Sequence, residues 1–196
     1  MNVSILPDIA IVFLLMFGRL GSMMMLMPAI GETNIPARIR LVFAVLVTML
    51  VYPVASGLYP AGLAATPARL GFLLAAEIGV GLFIGMATRL VMAAAQVAGT
   101  TIANQLGLGF AMAVDPTQGQ QGVIFGNFLA LAAVTLVFTL DLHHLAVAGL
   151  TGSFGLFRPG DLMPVGDLAE AAVKLTADTF RIGVKISAPF LAFGLV

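Results

Sequence analysis

Cysteine is absent from the 196-residue chain, so disulfides, thiolate catalysis and cysteine-ligated metals are excluded. Charge is scarce as well. Charged residues make up 9% of the chain, against about 25% in an ordinary soluble domain, which must cover its surface with solvated groups. The nine basic and nine acidic residues cancel, leaving no basic face of the kind nucleic acid requires. Histidine is confined to His143 and His144 in "DLHH", beside Asp141. Two adjacent histidines on a helix point about 100° apart, a poor arrangement for holding one metal. None of the G-x-S-x-G, P-loop or H-E-x-x-H signatures occurs. An intramembrane enzyme is therefore disfavoured, and no cofactor or metal is expected.

What the chain does contain is overwhelmingly apolar: 60% hydrophobic residues and a mean hydropathy of +1.09. That balance reads as an integral membrane protein. The N-terminal stretch "MNVSILPDIAIVFLLMFGRLG" has no basic leader, carries Asp8 before the apolar run and shows no small-x-small cleavage site. It reads as a retained helix rather than a secretory signal. A membrane-crossing helix needs about 20 mostly apolar residues, and candidates run over 9–27, 39–58, 70–95 and 123–140. A fifth run, 182–196, stops without a cap or a turn residue, so the expectation is a longer protein cut at its C-terminus. Pro/Gly segments such as "PAIGETNIPARIR" and "YPAGLAATPARLG" join the runs. The stretch 141–185 is the most polar and is expected to hold a surface helix near 168–180. The whole reads as one all-α, membrane-type domain over residues 1–196.

The runs are not plain lipid-facing helices. Arg19 and Glu77 lie inside apolar segments, where a charge costs about 2.5–3.5 kcal/mol on insertion scales, so each needs a partner or a wet cavity. An interhelix ion pair between them is the favoured reading, and a proton or ion relay is the sharper alternative. Arg89, twelve residues after Glu77, lies about 120° further round an ideal helix and does not share its face. Gly79, Gly81 and Gly85 in "GVGLFIG" allow close backbone approach between helices. The cluster "SMMMLMP" over 22–28 reads as adaptable apolar filling, with a deformable pore constriction as the alternative.

One polar interruption stands out, "GLGFAMAVDPTQGQQG" over 107–122. Gly107, Gly109, Gly119 and Gly122 give it a permissive backbone, and Asp115-Pro116 sets a local turn. Phe110 and Met112 offer apolar groups, and Gln118, Gln120 and Gln121 offer uncharged hydrogen bonds.

The order Arg19, Pro28, "NIPARIR" with Pro36 and Arg38, Glu77 with "GLFIG", "AGTTIANQLGLGFAMAVDP" and "DLHHL" resembles the FliR family of flagellar export-gate proteins. It is similar also to the SctT counterparts in virulence-type injectisomes. The resemblance runs along the whole chain. It implies a non-enzymatic subunit of a type III protein export gate in the bacterial inner membrane, at the flagellar basal body. The implied partners are FliP-like and FliQ-like gate subunits, an FlhB-like switch protein, membrane lipid and unfolded export substrates. The implied fold is a set of bent, Gly/Pro-interrupted helical hairpins wound into a pseudo-helical assembly, much of it raised above the membrane plane. The loop matching Gly107–Gly122 is implied to be a plug in the closed channel. A stand-alone secondary transporter or small ion channel is the alternative, although no internal repeat of the kind transporters use is present.

Overall fold

The structure is a computed structural model that describes residues 5–32, 35–60, 66–107, 120–161 and 165–194. Every regular element among them is helical. In chain order these are α1 (Ile5–Leu26), α2 (Ala37–Ala55), a 3-10 turn (Ser56–Leu58), α3 (Pro67–Gln105), α4 (Gln120–Thr139), α5 (His143–Leu156) and α6 (Val165–Phe193). Among the described residues, Asp8–Leu26, Ala37–Leu58 and Pro67–Gln105 are each long and apolar enough to cross a membrane.

Three elements differ from the sequence expectation. The run 70–95 and the polar stretch "QVAGTTIANQ" form one helix of 39 residues, whose contour of about 58 Å is nearly twice the hydrocarbon thickness. Neither proline nor a cap interrupts it, and threonines 88, 100 and 101 return their hydroxyls to carbonyls of their own helix, which spares a polar group a separate partner. Likewise the expected surface helix and the last apolar run are one element of 29 residues, α6, with Pro189 inside it. Helix α5 was hidden within the polar stretch by Gly149, Gly152 and Gly155. Each of those costs about 1 kcal/mol of helix propensity relative to alanine, and burial of Leu150, Ser153 and Phe154 outweighs it.

Residue contacts gather into two compact units: Met1–Thr88 with His143–Leu168, and Arg89–Leu142 with Ala169–Val196. In the first, α1, α2, the start of α3 and α5 enclose a core that includes Leu15, Met16, Leu20, Val51, Leu150 and Phe154. Lipid is as apolar as leucine, so such helices are held by packing and hydrogen bonds rather than by escape from water. Close approach is what makes the packing effective. A Cβ on Gly81 would strike the Arg19 carbonyl and the Ser22 hydroxyl, and one on Gly85 would lie 2.6 Å from the Met23 carbonyl. The two glycines thus let α1 and α3 touch backbone to backbone. Met16, Met23, Met24 and Met27 are buried in this unit, which favours the apolar-filling reading of the methionine cluster over the pore constriction. On its outer side α2 bares Val42, Met49, Leu50 and Val54, a surface that calls for lipid or protein rather than water.

In the second unit α3 and α4 cross at a pair of glycines. A Cβ on Gly99 would come within 2.5 Å of the Gly126 Cα and 2.8 Å of the Phe125 carbonyl. Helix α6 packs on α3 through Thr179, whose hydroxyl donates to the Leu90 carbonyl at 3.0 Å, and through Gly183, which lies against Val97 and the Ala94 carbonyl. Asp167, Glu170, Lys174, Asp178, Arg181 and Lys185 of α6 fall within about 80° of one another on an ideal helix. Five of them are exposed and Asp178 is partly so.

Candidate functional site

Two places draw together the residues singled out by sequence. The first is a buried polar cluster in the unit built on α1. Arg19 and Glu77 are 1% and 3% exposed, and the Arg19 Nε donates to Glu77 Oε2 in an interhelix ion pair. The charges are placed by helix geometry: Arg19 of α1 and Glu77 of α3 stand where the glycine contact brings the two helices together. A second nitrogen of the guanidinium is also engaged. Its Nη1 donates to the Ser153 carbonyl at 3.1 Å and to the Phe157 carbonyl at 2.9 Å, and its Cζ lies 4.6 Å from the centre of the Phe154 ring. Ser22 completes the contact with its one hydroxyl proton shared between the carbonyls of Arg19 at 3.0 Å and Ile78 at 3.2 Å.

Tyr59 also belongs to this cluster. Its ring sits 6.3 Å from that of Phe154. Its hydroxyl is buried near enough to Glu77 to feel that carboxylate, yet makes no well-formed hydrogen bond among the described residues. Neither Tyr59 nor Ser153, Phe154 and Phe157 is legible as a partner of Arg19 from sequence. Their only advance signal is the demand of a buried arginine for several acceptors.

Arg89 lies exposed on α3. His144 and Asp141 are exposed, and Asp141 adopts a left-handed backbone, φ 56°, at the turn between α4 and α5. Among the described residues no group of three or more His, Asp or Glu converges on one point.

The second place is the base of the loop over 107–122. Gly109, Phe110, Met112, Asp115, Pro116 and Gly119 lie outside the described residues. The ends are described. Gly107 has φ +76° with open space around its Cα, a conformation glycine adopts without penalty. Gly122 lies in the first turn of α4. The Gly99–Gly126 crossing, missed from sequence, ties the helices on either side of the loop within about two turns of its ends. Gly194, at the end of α6, rests against the Gln105 side chain.

An apolar groove of about 600 Å³ between α1 and α2, lined by Ile9, Ala10, Phe13, Leu14, Phe17, Met49 and Tyr52, carries no charged group and offers little to a polar solute.

The sequence matches the family described as "Bacterial export proteins, family 1" over residues 10–196. It is similar to the flagellar biosynthetic protein FliR of Caulobacter vibrioides, 37% identical over 182 residues, which make up 93% of this chain and 72% of that protein. The FliR of Bacillus subtilis is 29% identical over 188 residues, with 94% and 71% covered. The FliR of Aquifex aeolicus is 27% identical over 195 residues, with 96% and 72% covered. A match that begins within α1 and continues through α6 takes in both the buried ion pair and the glycine-rich stretch 107–122, and on it the chain belongs to the bacterial export proteins of family 1, the family of the FliR proteins.

Proposed function

We propose that the chain is a non-enzymatic subunit of the flagellar type III protein export gate in the bacterial inner membrane. There it forms and plugs the channel through which unfolded flagellar proteins leave, beside FliP-like and FliQ-like subunits and an FlhB-like switch protein. The observation that carries this reading is the family match over nearly the whole chain.

The physical character of the helices supports it. Six charges on one side of α6 would be costly in hydrocarbon, at about 2.5–3.5 kcal/mol each near mid-membrane. They suit a helix covered by other subunits or standing clear of the lipid. Helix α3 is too long for one crossing. Irregular, glycine-rich backbone is tolerated at membrane depth where it packs against protein or lines a cavity, and an assembly provides both. The loop over 107–122 acts as the plug: its glycines let the backbone fold into a lumen and withdraw, with Phe110 and Met112 as seal and Asp115-Pro116 as the turn. The paired helices at its base hold its ends at a fixed separation.

Affinity purification of the tagged chain from flagellated cells is expected to bring down FliP-like and FliQ-like subunits in one large complex. A monodisperse homo-oligomer that carries a solute across vesicles would sink the reading in favour of a stand-alone transporter. Deleting 107–121 from the assembled gate is expected to raise the ion permeability of the closed state, and unchanged permeability would remove the plug.

A further inference from the structure

Helix α5 ends inside the packed unit, and its end is held from another part of the chain. The last four carbonyls of any helix have no partner within it. In α5 these include Ser153, whose carbonyl already accepts the Phe157 N–H at 2.9 Å. Arg19, more than 130 residues earlier, brings a second donor to that oxygen and donates also to the Phe157 carbonyl just past the helix end. The cation therefore stands at the negative end of the helix dipole, where positive charge is favoured. Its face rests on Phe154 in the last turn of the same helix. Among the described residues, three of the four groups that Arg19 engages thus belong to the end of α5, and one, Glu77, belongs to α3.

We propose that Arg19 is a positioning residue, the C-terminal cap of α5 supplied from α1, and that Glu77 serves to orient it. The division of labour follows from the shape of guanidinium. Its planar fork can present one edge to a carboxylate and another to a pair of carbonyls while stacking a face on a ring, which a point-like ammonium cannot match. With Nε held by Glu77, Nη1 is aimed at the two carbonyls. With Arg19 gone, those carbonyls lose their cap and α5 loses its hydrogen-bonded tie to α1, whatever the state of Glu77. With Glu77 neutralised, the cap and the ring contact remain.

The pair is therefore expected to respond asymmetrically. The chain has no cysteine, so a single reporter is unambiguous. Ser153→Cys is nearly isosteric at a position 3% exposed. In native membranes its maleimide labelling is expected to be slow with Arg19 intact, tenfold or more faster with Arg19→Gln, and within about threefold of the intact rate with Glu77→Gln. Equal rates in the two variants would overturn the proposal. Should Arg19→Gln fail to accumulate, the charge-balanced Arg19→Met/Glu77→Met double variant is the second arm. It retains a filled core but no cap, so fast labelling is expected and slow labelling overturns the cap.

The consequence for export rests on the function proposed above and is read separately, as swimming of cells carrying each variant. Arg19→Gln is expected to depress it at least tenfold more than Glu77→Gln. Equal swimming with unequal labelling would overturn the part of Arg19 in export. Failure of the export-gate reading itself would instead appear as full swimming without the chain.

Discussion

Arg19 and Glu77 stand 58 residues apart and meet as an ion pair in which neither side chain is more than 4% exposed. Their helices run side by side because Gly81 and Gly85 remove the side chains that would keep them apart. The pair and the glycine contact are one arrangement: closing the helices buries the charges, and the charges demand that the helices stay closed.

Removing one member of a buried pair leaves the other charge without compensation, at a cost of about 3–5 kcal/mol. Arg19→Ala is expected to lose that much, seen as a fall in folded protein recovered in mild detergent and in its melting temperature. Stability equal to the unsubstituted chain would mean that water reaches Glu77.

Substitution of the α3 glycines sorts by position. Gly81→Ala and Gly85→Ala place a methyl against backbone carbonyls of α1, an overpacking that costs about 1–3 kcal/mol. Gly71→Ala, in the same helix with open space around it, is expected to be neutral or to stabilise by up to about 1 kcal/mol through helix propensity. Thermal unfolding of the three variants in one detergent checks the order.

A similar asymmetry is expected at the crossing of α3 and α4. A methyl on Gly99 meets the Gly126 backbone at 2.5–2.7 Å, whereas one on Gly126 finds its nearest neighbour, the Gln96 carbonyl, at 3.7 Å. Gly99→Ala should therefore destabilise by about 1–3 kcal/mol and Gly126→Ala hardly at all. Equal losses from the two substitutions would contradict this geometry.

Tyr59 offers a test by pH. Burial, and then the nearby Glu77 charge, push its hydroxyl above the ordinary tyrosine range, which lies near 10. In the unfolded chain the phenol loses its proton first, so the folded state binds more protons above about pH 10 and stability falls as pH rises. Below about pH 9 both states are protonated and the group contributes nothing. Tyr59→Phe is expected to keep the contact with Phe154, to remove a buried hydroxyl that lacks a good partner, and to blunt the alkaline loss of stability. Alkaline melting curves as steep as those of the parent would exclude Tyr59 as its source.

The helices that announced themselves in sequence were those with long apolar runs and clear proline or glycine ends: α1, α2 and α4. Helix α5 did not, because three glycines and a polar neighbourhood conceal an element whose stability comes from what it packs against. The continuity of α3 and α6 was missed for a related reason. Polar side chains such as Thr100, Thr101 and Thr176 look like breaks but return their hydroxyls to carbonyls of their own helices. Glu77 and Arg19 were conspicuous as charges in apolar runs. Their further partners were not, since backbone carbonyls leave no mark on residue identity.

By itself the sequence determined the class of protein: all-helical, membrane-type, without cysteine chemistry, with two charges needing burial and a glycine-rich interruption near its middle. Those properties follow from composition and local spacing, which act wherever the chain goes. The tertiary structure decided which distant groups meet. The Arg19–Glu77 pair was already the favoured reading of the sequence; the fold added the end of α5 as the second partner of Arg19, and it crossed α3 over α4 at Gly99 and Gly126. Both depend on contacts between residues far apart in the chain, and hydrophobic periodicity carries no record of which helix will lie beside which.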